Sequence, residues 1–395
     1  MSLTSQEANA RGLAALRNRD LAQAQRWFEQ ALALDPAAGS LWRNLAHARR
    51  LAGDAAGERA ALEGALGVDA RDLAALIRLA QWFERAGDRR EAMLRWSGVI
   101  QLGEQVATPS EELSHLLAHA REYCAAQGAA LATPIRAALA PRYDTFGQTS
   151  RRRAQAFLDH SFGTRRIYPN VCAGLHYPFL PADEFFDDHH FPWFDELAAG
   201  TAAIRAELEA LIADPGTALI PYVRMEKGVS ASQWDPLNHN LDWGACFLWE
   251  YGRPNTPVLE RCPKTAAVLA ALPGARIPGR APSAFFSMLK PHTRIPPHTG
   301  VTNTRAIVHL PLIVPPGCGF RVGGETREWI VGKPFAFDDT IEHEAWNDSD
   351  ELRAVLIFDV WNPHLSVEEQ SIVADYCAMV DNLSEGPARG EKAQG

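Results

Sequence analysis

The chain contains no C-x-x-C pair. Its six cysteines (Cys124, Cys172, Cys246, Cys262, Cys318, Cys377) stand singly along 395 residues. That gives no support to a zinc ribbon or a thioredoxin-like redox motif and suits a reducing compartment, so a cytoplasmic protein is expected. There is no long basic run, and the formal charge is -9 with a pI of about 5.8. Phosphate binding requires a basic face, so nucleic acid is not expected as a partner. No apolar stretch is long enough to cross a bilayer, and no membrane span is expected. The residues after Met1 (Ser-Leu-Thr-Ser-Gln-Glu) have neither a cationic start nor an apolar core, so no signal peptide is expected. What remains is a globular composition, 47% hydrophobic and 22% charged, in a chain long enough for two domains.

The first hundred residues are rich in Ala, Leu, Arg and Glu and poor in β-branched residues, which is helical composition. A pattern repeats at 34-residue spacing. Gly12, Ala24, Phe28 and Ala31 form one set, closed by Asp35-Pro36; Ala46, Glu58, Leu62 and Ala65 form the next, closed by Asp69-Ala70 and opened by Trp42 and Leu45. A third unit carries Leu76, Leu79, Ala80, Phe83, Ala92 and Trp96, and Gly53-Asp54 and Gly87-Asp88 occupy equivalent turns. The pattern resembles the tetratricopeptide repeat, in which small residues let paired helices approach and large ones fill the gaps. Glu58 departs from it, standing where the repeat has a small residue. Repeats are expected over 1–105 and a helical linker over 106–164, with the basic run Arg151-Arg152-Arg153 on a solvated surface. A stacked helical array implies a protein or peptide partner.

From about 165 the composition shifts to Pro, Gly and aromatics. One helix is expected across 196–213, where Leu197, Ile204, Leu208 and Leu211 keep helical spacing. Short strands follow at 218–223, 244–251, 284–289, 305–314, 334–337 and 353–360, separated by Gly- and Pro-rich turns, then a helix over 367–380. Strands so spaced predict a β-sandwich or jelly-roll barrel. The whole chain is therefore an α+β, multidomain protein, a helical solenoid followed by a double-stranded β-helix with flanking helices. Residues 384–395 are read as a disordered tail.

Two segments of the strand region carry chemistry. One is Pro297-His298-Thr299-Gly300 with Arg305 and His309 downstream. The other is Phe337-Asp338-Asp339-Thr340-Ile341-Glu342-His343-Glu344, followed by Arg353 and Asp359-Val360-Trp361-Asn362-Pro363. Two histidines on separate strands of a small barrel can converge on one metal, and imidazole suits iron(II). An arginine on a neighbouring strand can grip a dicarboxylate bidentately by its remote end. Asp338 and Asp339 are read as caps of the turn before His343, His292 as a loop residue, and His189-His190 as surface.

These motifs resemble the aspartyl/asparaginyl β-hydroxylases over residues 165 to 366. The likeness includes Gly174-Leu175, Pro192-Trp193-Phe194, Leu237-Asn238 with Trp243, and Arg261-Cys262-Pro263. The resemblance implies a hydroxylase that uses iron(II), 2-oxoglutarate and dioxygen, with its barrel over 165–383. It implies that His298 and His343 bind the metal and that Arg353 pairs with the remote carboxylate of 2-oxoglutarate. Ser287 and His309 would contact the co-substrate nearer its other end, and Arg305 would face the substrate. Many relatives in the wider superfamily add an acidic ligand two residues after the first histidine; this family has glycine there, as Gly300 is here. Members acting on protein aspartate carry a second substrate arginine two residues after the first, where this chain has Ile307, which points to a less acidic substrate. Two rival readings are a catalytically inactive repeat-based interaction module and a cupin-like enzyme of different chemistry. Intact His298, His343 and Arg353 count against the first, and the lack of a third metal ligand counts against the second.

Overall fold

In a computed structural model of the protein, which describes residues 3–225 and 232–384, aspartates at the repeat spacing start every second helix of the N-terminal part. The helices there are α1 (Ser5–Arg17), α2 (Leu21–Leu34), α3 (Gly39–Leu51), α4 (Ala55–Val68), α5 (Leu73–Ala86) and α6 (Arg89–Gly103). Asp20, Asp54 and Asp88 cap α2, α4 and α6, each carboxylate accepting the backbone N–H three residues on. The preceding turn needs a left-handed residue, supplied by Gly53 and Gly87 and, in the first pair, by Arg19. Phe28, Leu62 and Trp96 are buried at equivalent positions between the paired helices. Gly12 is small for a steric reason: a Cβ there would stand 2.6 Å from the Phe28 ring. Glu58, the misfit of the pattern, is buried but paired, with Arg85 Nη2 2.9 and 3.0 Å from its two oxygens. The result is three stacked helix pairs, a tetratricopeptide-like solenoid. Helix α7 (Glu111–Tyr143) packs on α6 through Leu117 and Ala120, and α8 (Gln148–Ser161) follows. These helices belong to one compact unit, Met1–Thr164; the second unit begins at Arg165.

The second unit is built on antiparallel strands. In chain order they are β1 (Ile220–Pro221), β2 (Trp243–Glu250), β3 (Arg253–Pro254), β4 (Ala284–Leu289), β5 (Thr293–His298), β6 (Arg305–Ile313), β7 (Cys318–Val322), β8 (Glu325–Arg327), β9 (Phe335–Phe337), β10 (His343–Asn347) and β11 (Arg353–Trp361). One sheet runs β1-β2-β4-β11-β6-β9, with β3 at the edge of β2, and the other runs β5-β10-β7-β8. From β4 onward the chain alternates between the two except at β7 and β8, a hairpin within the smaller sheet, which is the winding of a jelly roll.

Alternation along the larger sheet sends one face each way. Phe286, Met288, Val308, Leu310, Leu356 and Phe358 face flanking helices, with Leu197, Ile204, Leu208 and Leu211 in the same cluster. Trp243, Leu289, Phe335, Phe337 and Val355 face the smaller sheet and meet Ile295, Phe320 and Val322.

The helix expected over 196–213 is two helices, α9 (Phe194–Ala199) and α10 (Thr201–Ala213), broken at Gly200. Helices α11 (Thr256–Arg261) and α12 (Pro263–Ala271) are additional, and α13 (Val367–Ser384) closes the described chain. The tail expected from residue 384 lies, beyond Ser384, outside the described residues. No described helix is long and apolar enough to cross a membrane, and all six cysteines are free thiols.

Candidate active site

His298 ends β5 and His343 begins β10. The two are direct partners across the strand pair, with ring centroids 4.0 Å apart. Just beyond them the register shifts, so that Pro296-Pro297 together oppose Glu344. This is a β-bulge, a place where prolines without an N–H are tolerated and where a side chain is re-aimed.

Each ring is oriented by its own backbone. Nδ1 of His298 donates to the Pro296 carbonyl at 2.8 Å, and Nδ1 of His343 to the Ile341 carbonyl at 2.9 Å. With Nδ1 protonated, Nε2 of each ring keeps its lone pair for a ligand. Burial pushes the proton affinity of both below the ordinary histidine range, His343 furthest, where the neighbouring His298 adds to the effect. Both rings are thus held neutral, the form that binds a metal.

Among the described residues no group of three or more His, Cys, Asp or Glu is arranged to hold a metal. Gly300 explains part of this, because a Cβ there would run into the Asp339 carboxylate. Asp338 caps its turn, accepting from Thr340 N at 3.0 Å, Thr340 Oγ1 at 2.6 Å and Asn170 Nδ2 at 2.7 Å. Asp339 does something else. It lines the cavity beside His298 and His343, and burial, with the charge of Asp338, pushes its carboxyl up to about 7.

The far end of the same cavity, which has a volume of about 510 Å³, is polar in a different way. Arg353 starts β11, points inward, and is 1% exposed. Its Nη1 reaches Ser287 Oγ at 3.3 Å, and that oxygen also accepts from Trp243 Nε1 at 3.1 Å. No carboxylate of the described residues forms an ion pair with Arg353, and its Nε has no partner. Burial lowers its proton affinity to about 10, which leaves it cationic at neutral pH. His309 faces inward from β6 with Nδ1 unpartnered, and burial and the Arg353 charge hold it neutral.

The structure thus brings His298, His343, Ser287, His309 and Arg353 around one cavity. Arg305 borders it too, but its guanidinium is paired with the buried carboxylate of Asp359 and donates to the Arg280 carbonyl at 3.2 Å. Ile307 lies between Arg305 and His309 on the same inward face. His292 is bonded to Asp350 on the surface, and His189 and His190 sit in a short turn. Sequence reading missed Asp339, Trp234, whose ring edges onto His298 at 4.9 Å, and Trp329 beside Arg353. Nothing local separates these two from the other tryptophans, eleven in all.

The donor set fits a divalent metal with several open positions, held by two neutral imidazoles, together with an anion that ends on Arg353. Residues 199–363 match the family described as aspartyl/asparaginyl β-hydroxylase. The chain is 34% identical over 183 residues to the human aspartyl/asparaginyl beta-hydroxylase, covering 45% of this chain and 24% of that protein. It is 30% identical over 214 residues to the ornithine lipid ester-linked acyl 2-hydroxylase of Rhizobium tropici, covering 52% of this chain and 72% of that protein. The match to the human and mouse beta-hydroxylases therefore spans about a quarter of their length. The helical part aligns with the TPR domain of Sgt2 from Aspergillus fumigatus at a TM-score of 0.27 and 22% identity, covering 30% of this chain and 77% of that chain. With 72% of the Rhizobium protein covered at 30% identity, and with the histidines and Arg353 inside the matched segment, this chain belongs to the aspartyl/asparaginyl β-hydroxylase family.

Proposed function

We propose that the protein is an iron(II)- and 2-oxoglutarate-dependent hydroxylase that inserts oxygen into a substrate C–H bond with release of succinate and carbon dioxide. The observation that carries this reading is the pairing, in one cavity, of two neutral imidazoles in strand register with a buried arginine that has no counter-ion among the described residues. His298 and His343 would hold the metal through Nε2. Arg353, with Ser287 bonded to its Nη1 and His309 alongside, would take the remote carboxylate. The metal and co-substrate supply the oxidising chemistry when bound. The protein's part is to fix the two ligand rings by their Nδ1 bonds, to keep the arginine dry so that its pairing is strong, and to exclude water from the apolar walls.

The reacting part of the substrate is read as uncharged. Arg305 is neutralised by Asp359, Arg224 is paired with Glu250 at the cavity rim, and Ile307 brings no charge. We also assign a peptide-binding role to the helical unit, residues 1–164, where Ile77, Arg78, Gln81, His115 and Leu116 line a concavity between α5 and α7.

The deciding experiment supplies iron(II) to anaerobically purified protein, admits oxygen, and follows succinate formation from 2-oxoglutarate, with His343→Ala alongside. Succinate from the wild type and none from the variant is expected. Neither succinate nor 2-oxoglutarate binding by metal-loaded wild type would refute the reading and favour a non-catalytic interaction module.

A further inference from the structure

Two cavity-lining side chains, Arg353 and His309, and the neighbouring Trp329 each carry an unsatisfied nitrogen. Five buried side-chain nitrogens among the described residues lack any hydrogen-bond partner, and three of them belong to Arg353, His309 and Trp329. These residues are neighbours: the Arg353 guanidinium carbon stands 4.3 Å from the centre of the Trp329 ring, and the His309 ring 6.2 Å from it. Trp329 lies between β8 and β9, is 5% exposed, and is locked by Phe320, which stacks on it at 5.5 Å with the planes 20° apart.

A buried guanidinium needs its charge compensated. The usual partner is a carboxylate, and the described residues place none beside Arg353; the ring of Trp329 stands there instead. An aromatic face attracts a desolvated cation. It remains neutral, however, so it neither repels an arriving anion nor cancels the charge that anion must find. A carboxylate partner would do both, as Asp359 does to Arg305.

We propose that Trp329 is a positioning residue for the co-substrate: its ring face holds the Arg353 guanidinium charged and correctly turned, so that the remote carboxylate of 2-oxoglutarate meets preorganised donors. The inference rests on the functional reading above and extends it to a residue outside the metal motif.

The test is calorimetric titration of the full chain with 2-oxoglutarate, using manganese(II) as a redox-inert metal, for wild type, Trp329→Phe and Trp329→Leu. Manganese(II) affinity is measured separately for each. Removing the aromatic face should weaken 2-oxoglutarate binding by about tenfold or more in Trp329→Leu. Trp329→Phe keeps a weaker aromatic face and should lose only about two- to fivefold. Manganese(II) affinity should stay at the wild-type value throughout, because neither histidine is disturbed. Wild-type 2-oxoglutarate affinity in both variants overturns the proposal. So does a parallel fall in manganese(II) affinity that phenylalanine fails to rescue, since that would mark Trp329 as a general packing residue. If Trp329→Leu does not fold, Trp329→Phe decides alone, with unchanged affinity the overturning result. Failure of the wild type to bind 2-oxoglutarate sinks the parent reading instead, and is recognised because no variant is involved.

Discussion

Replacing Arg353 with methionine should make the fold more stable while removing co-substrate binding. The guanidinium is buried, has no counter-carboxylate among the described residues, and its contacts to Ser287 are long, at 3.3 Å to Oγ and 3.5 Å to the carbonyl. Burial lowers its proton affinity from the ordinary arginine range to about 10, a penalty on the charged form on the order of 3 kcal/mol. The Trp329 face returns part of that, up to roughly 2 kcal/mol. Even a buried ion pair, replaced by apolar side chains of similar volume, is often neutral or gains about 1–4 kcal/mol, and a charge without a partner has less to lose. The balance here predicts about 1–3 kcal/mol for Arg353→Met, or a few degrees at roughly 2–4 °C per kcal/mol for a unit of this size. The sign of the pH dependence follows from the lowered value. The folded state binds the proton less tightly than the unfolded chain, so the penalty is constant at neutral pH and is relieved only as pH rises through about 10 toward the ordinary arginine range. The stability gap between variant and wild type should therefore be flat from about pH 6 to 9. Binding should move the other way, since truncating one partner of a desolvated charge pair costs about 2–5 kcal/mol, a loss of roughly 30-fold to several thousand-fold in affinity. Scanning calorimetry is the assay. The relevant transition is the one that manganese(II) with 2-oxoglutarate shifts upward in the wild type. A variant that melts below the wild type would refute the reasoning, because it would make Arg353 a structural residue whose contacts outweigh its burial.

Gly300→Ala should destabilise by about 1–3 kcal/mol through overpacking against Asp339, and adding Asp339→Ala should recover most of the loss in a double-mutant cycle of denaturant midpoints. Gly12→Ala should cost a similar amount, about 1–3 kcal/mol, because the new methyl meets the Phe28 ring at 2.6 Å; helical circular dichroism against urea reads it directly. Ile307→Arg should raise the stimulation of 2-oxoglutarate turnover by aspartate-containing peptides relative to wild type. Equal stimulation in both would mean that charge at this position does not select the substrate.

Periodicity made the helical unit legible, because each repeat states its own small and large positions in turn. Even the misfit Glu58 proves to be a local exchange, an Arg85 partner taking the place of a small residue. The larger sheet was legible as well: β2, β4, β6 and β11 are apolar runs buried on both faces. The smaller sheet was not. Strand β5 carries Arg294, Pro296 and Pro297 and has only one buried apolar residue, Ile295, so its sequence looks like a loop. It becomes a strand because β10 pairs with it and the bulge absorbs the prolines. Strands β7, β8 and β10 are too short to establish a period of two without their partners.

The same limit separates Asp338 from Asp339. Both stand on one turn with the same side chain, and a capping reading accounts for either. One carboxylate folds back onto Thr340 and Asn170, and the other meets Gly300, thirty-nine residues upstream. That Gly300 lacks a side chain is visible in the sequence. That the space it leaves is filled by the Asp339 carboxyl from the turn before β10, rather than by a side chain of its own, follows only from the pairing of β5 with β10, which also sets His298 opposite His343. The facing of the two imidazoles is therefore a property of that strand pair, and residues that border the cavity's polar groups from elsewhere in the chain, Trp329 beside Arg353 and Trp234 beside His298, carry no mark in their immediate neighbours.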